Sequence, residues 1–105
     1  MHDIGYCCEV FGQAVRILAT SALPMEERLT AAFTEANHAY GGESVGGLSA
    51  DLQNRMLEFK DAMTQAGRPA VTVGVMTRVR QEEMAAELLD IQHALRSERQ
   101  NPPAR

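Results

Sequence analysis

Apolar side chains take most positions between residues 3 and 20: Ile4, Tyr6, Cys7, Cys8, Val10, Phe11, Ala14, Val15, Ile17 and Leu18. The remainder, Gly5, Glu9, Gly12, Gln13, Arg16 and Thr20, recur at helical spacing along one narrow stripe. The pattern predicts a helix buried on several sides, either the central helix of the fold or one side of a subunit interface. Its two interior glycines cost about 1 kcal/mol each against alanine and are expected to admit a close neighbouring helix.

A second helix begins at Pro24, which suits a first helical position, with Glu26 and Glu27 at the positive end of the helix dipole. Met25, Leu29, Ala32, Phe33, Ala36 and Tyr40 form its apolar face, and Gly41 and Gly42 stop it. The glycine-rich stretch 41–47 is expected to be a flexible connector; it has neither the lysine nor the preceding strand of a phosphate loop. Ser49 caps a third helix whose apolar residues, Leu52, Met56, Phe59, Met63 and Ala66, step by four, three, four and three. Gly67 and Pro69 end it. Thr77 caps a last helix with Met84, Leu88, Ile91 and Leu95 as its seam, broadened by Ala85 and Leu89.

Between these two helices Val71, Val73 and Val75 alternate with Thr72, Gly74 and Met76. The period of two predicts an extended segment over 70–76. A single strand cannot satisfy its own backbone, so it would pair with its copy in a second subunit or lie as a linker on the helices. The fold class read from these patterns is all-α: a small four-helix bundle with a short extended segment at 70–76. Residues 1–100 form one helical domain, and 101–105, with Pro102 and Pro103, form a disordered tail.

Composition adds the bounds. The chain has 105 residues, 45% of them hydrophobic and 23% charged, which excludes a disordered polymer. Trp is absent and aromatics make up 5%, so the core is expected to be aliphatic, with six methionines filling gaps. The first helix has so little polar surface that a homodimer, a higher oligomer or a complex with another protein is expected. A net charge of −4 argues against nucleic acid as the partner. The arginines are concentrated towards the C-terminus, where Arg78, Arg80, Arg96 and Arg99 would carry any such role. Arg78 and Arg80, near the start of the last helix, would also suit an anion there. No signal segment or membrane span is visible, so the expected setting is cytoplasmic, without a membrane partner.

Two sets of residues could carry chemistry. Carboxylates and histidines at helical spacing resemble, in element order, the ligand pattern of ferritin-type di-iron bundles: Glu9, Glu58, Glu35 with His38, and Asp90 with His93. Aspartate at 90 departs from the usual glutamate. The phase also opposes the pattern, since His38, Glu58 and His93 fall opposite the apolar faces of their helices. These residues therefore read first as solvated surface, and as metal ligands only if an oligomer turns them inward. Cys7 and Cys8 lie near His2 at a helix start, where a thiol pKa is lowered; set against that, cysteine is among the most buried residue types. Core packing is the favoured reading, a reactive or metal-bound thiol the other. No catalytic constellation and no cofactor is implied. The leading reading is a non-enzymatic helical protein–protein interaction or regulatory protein acting as a homo-oligomer. The alternatives are a metal-binding bundle, enzymatic or not, and a nucleic-acid-linked regulator.

Overall fold

The computed structural model describes residues 3–41 and 48–101, and these are helical without a strand. Five α-helices follow one another: α1 (Ile4–Thr20), α2 (Met25–Ala36), α3 (Ala50–Met63), α4 (Pro69–Gly74) and α5 (Arg78–Gln100). A 3-10 turn, Asn37–Ala39, extends α2. Most of the connector at 41–47 and of the tail at 101–105 lies outside the described residues, as does His2.

The starts of α1, α3 and α5 are set by side chains that satisfy free backbone donors. Asp3 Oδ1 accepts from the Tyr6 amide at 2.9 Å, Ser49 Oγ from Leu52 at 3.2 Å, and Thr77 Oγ1 from Arg80 at 3.1 Å. The chain leaves the 3-10 turn through Gly41, whose φ of 84° is open to glycine at little cost. Helix α3 ends at Met63, earlier than its apolar spacing predicts, and Ala66 is exposed beyond it.

Helix α1 is central. It packs on α2, on α5 and on the 3-10 turn, and these cover Cys7, Val10, Phe11, Ala14 and Leu18. The apolar surplus expected to need a second subunit is thus largely absorbed within the chain. The close approach expected at the helix glycines is absent: space around Gly12 is open, and a Cβ on Gly5 would meet only side chains. Leu89 does not broaden the seam of α5, being half exposed.

Four of the few aromatic rings tie the elements together. Phe11 of α1 meets Tyr40 at 6.4 Å and Phe59 at 6.5 Å, and Phe59 meets Phe33 at 5.7 Å. Such tilted pairs add about 0.5–1.5 kcal/mol each to the burial itself. The Tyr40 hydroxyl donates to the Met56 carbonyl at 2.6 Å, which joins the end of the 3-10 turn to α3.

The extended segment expected at 70–76 is instead α4 with the turn that follows it. Pro69 occupies its first turn, where a missing N–H costs nothing. A helix closes its own hydrogen bonds, from Thr72 to Arg68, Val75 to Val71 and Met76 to Val73. Thr72, almost fully buried, accepts from the Ala66 amide at 3.0 Å and donates to the Arg68 carbonyl at 2.9 Å. At about 100° per residue Val73 turns away from Val71 and Val75. Val73 enters the core, while Val71 and Val75 stay outside.

Candidate functional site

Helices α3 and α5 run antiparallel, with Ser49 at the start of α3 bonded to Glu98 near the end of α5. Their buried seams are Leu52, Met56, Phe59 and Met63 on α3, and Met84, Leu88, Ile91 and Leu95 on α5. The residues flanking those seams cannot reach the core, and they form the walls of a surface trough of about 710 Å³. Arg55 and Glu58 rise from α3, and Arg80, Glu83, Glu87 and Asp90 from α5. Phe59, Ala62, Met84 and Ala86 line its apolar part. Arg80 also borders a second hollow of about 460 Å³, which continues towards Val75 and Met76 at the α4–α5 corner. Asp90 lies ten positions after Arg80 on α5, a wall roughly 15 Å long at about 1.5 Å per residue.

One end of the trough is fixed by charge. Arg55 Nε donates to Glu87 Oε1 at 2.7 Å, and its Nη2 lies 3.6 Å from Asp90 Oδ2. The Glu87 hydrogen bond holds the Arg55 charge more firmly than usual. Both partners are partly exposed, so the gain in stability is about 1 kcal/mol or less, and the pair acts chiefly as a strut. Glu58 and Glu83, on opposite walls, have no ion-pair partner among the described residues.

The di-iron pattern is not assembled within the chain. Glu35 and His38 meet each other at 3.7 Å, but His38 is exposed. Glu9, Glu58 and His93 are exposed, and exposed Asp90 faces Arg55. Among the described residues no three metal-ligating side chains gather.

Cys7 is enclosed and Cys8 nearly so. Burial, with Asp3 and Cys8 adding to it, pushes the Cys7 thiol up to about 11. Burial also raises Cys8, partly offset by Arg99 and Arg96. Desolvation therefore overrides the lowering expected from the helix start. The four C-terminal arginines do not make one basic face. Arg78 pairs with Glu82, Arg80 lines the trough, and Arg96 and Arg99 line a cleft against α1. Among the described residues no helix is long and apolar enough to cross a membrane.

The sequence pattern located the two seams but not the trough beside them. The signal was present in the charges that follow seam positions by three residues, as Arg55 follows Leu52 and Glu87 follows Met84. No protein-family model, curated protein or solved structure matches the chain.

Proposed function

We propose that this chain is a non-enzymatic protein–protein interaction module in which the longer helices form a small bundle and the trough between α3 and α5 receives an amphipathic helix carrying basic residues. The observation that supports this reading is the trough itself: an apolar lining flanked by carboxylates that outnumber arginines, with Glu58 and Glu83 unpaired among the described residues. Helix-in-groove binding needs such an apolar lining for the anchors and a charged rim for direction. A wall of about 15 Å matches roughly ten residues of a bound helix.

The test uses two synthetic fourteen-residue amphipathic peptides, identical in their leucines and differing only in lysine or glutamate on the polar face. The lysine peptide is expected to bind and to weaken at least tenfold on Glu83→Lys or with rising salt. Equal binding of both peptides, or of neither, would overturn the reading.

Self-association is a second reading, favoured by Val71, Val75 and Val79, which stand half exposed or more around the α4–α5 corner. Light scattering coupled to size exclusion decides it. A dimer should return to the 11.5 kDa monomer on Val75→Asp, and a monomeric parent chain would exclude it.

A further inference from the structure

On the side of α5 away from the trough, its last turns lie against the first turns of α1. Gly5, Cys8 and Glu9 of α1 face Gln92, Arg96 and Arg99 of α5 across a cleft of about 490 Å³. A second hollow of about 370 Å³ shares Cys8, Arg96 and Arg99 and continues to Gln100.

The two arginines stand three residues apart, so both guanidiniums serve the same face of α5. Neither has a carboxylate partner within ion-pair distance among the described residues, unlike Arg55 and Arg78. Arg99 lines both hollows together with Cys8. It also lies across the first turn of α1, where a Cβ on Gly5 would stand 3.7 Å from its Nη2. Both guanidiniums act on Cys8 at the cleft wall, partly offsetting the effect of its burial. Glu9 is the negative group of the lining. Asp3, beside Gly5, is engaged by the Tyr6 amide.

We propose that this cleft binds a small oxyanion, a phosphate or carboxylate group, between the guanidiniums of Arg96 and Arg99, with the Gln92 side chain as a neutral donor. Guanidinium presents its N–H groups in a planar fork that matches such oxygens in pairs. Glu9 opposes binding and sets a limit on affinity. The site is separate from the trough, and it stands or falls independently of peptide binding there.

The experiment is a titration of the isotope-labelled full chain with sodium phosphate, followed by NMR against sodium chloride at matched ionic strength. Saturable shifts are expected at the Gly5, Cys8 and Gln92 amides and at the Nε–H groups of Arg96 and Arg99. Arg96→Gln, at an exposed position, should weaken binding at least tenfold with the rest of the spectrum retained, and Glu9→Gln should strengthen it about threefold. A parallel acetate titration assigns the preferred group, the anion that saturates at lower concentration being the better mimic. Shifts that stay linear and equal to the chloride control for both anions would overturn the proposal, as would an affinity unchanged in Arg96→Gln.

Discussion

In α1, Phe11 and Ala14 are fully enclosed and Val10 is 5% exposed, whereas Val71 of α4 is 50% exposed and Val75, at its cap, 75%. Both stretches are rich in apolar side chains. The difference lies in what surrounds them. Helix α1 has neighbours on several sides, so most of its apolar positions find at least partial cover, with Tyr6 and Ala19 as the exposed exceptions. Helix α4 is a single short turn-and-a-half at the corner between α3 and α5, held by Thr72 and by the Gln81 side chain, which donates to the Val73 carbonyl at 3.1 Å. It has one inward face, and only Val73 of its valines uses it. Apolar content therefore predicts burial where a helix is central and overestimates it at a corner.

The largest test of that contrast is Phe11→Ala. Removing a ring enclosed between Tyr40 and Phe59 should cost about 3–5 kcal/mol in urea unfolding. A loss under 1 kcal/mol would mean that α1 is not the centre of the core.

An alkaline titration of stability comes next. The folded state holds the Cys7 thiol protonated up to about 11 against an ordinary 9. A raised acid pKa gives stability that is complete below pH 9 and is lost between pH 9 and 11, because the unfolded chain releases its proton first. Cys8 and Tyr40, also raised by burial, act in the same direction. The fall attributable to Cys7 should be on the order of 2–3 kcal/mol, and the slope should shrink in Cys7→Ala. A flat urea midpoint across that interval would show that the first turns of α1 are open to solvent.

The third test stays within α4. Val73→Ala should cost about 1–3 kcal/mol and Val75→Ala less than about 0.5 kcal/mol. Equal effects at the two positions would restore the strand-like arrangement in which the valines share a face.

The long helices were legible in the sequence because their signals are local. Ser49 and Thr77 are short oxygen-bearing side chains beside regular apolar runs, and a cap bond spans three residues of chain. Much of the core followed from the same periodicity, including Leu52, Met56, Phe59 and Met63. Segment 70–76 failed for a physical reason: alternating valines satisfy a period of two and, every fourth residue, a helical period as well. Pro69 and the lack of a partner strand among the described residues decide between them, and only the second of these depends on the rest of the fold. The trough was invisible for a related reason. Glu58 and Glu83 are ordinary solvated charges on their own helices, and they become opposite walls only when α3 and α5 are set side by side.

What the sequence determined by itself is the four longer helices, the starts of α3 and α5 and most apolar residues of the long seams, all fixed by interactions reaching no further than about one helical turn. What the tertiary structure decided is which apolar faces are covered: α1 within its own chain, Val71 and Val75 not. It also decided the pairing of Arg55 with Glu87 and the meeting of Arg96 and Arg99 with Cys8. These depend on helix packing between residues 32 to more than 80 positions apart, and no local pattern encodes the distance across such an interface.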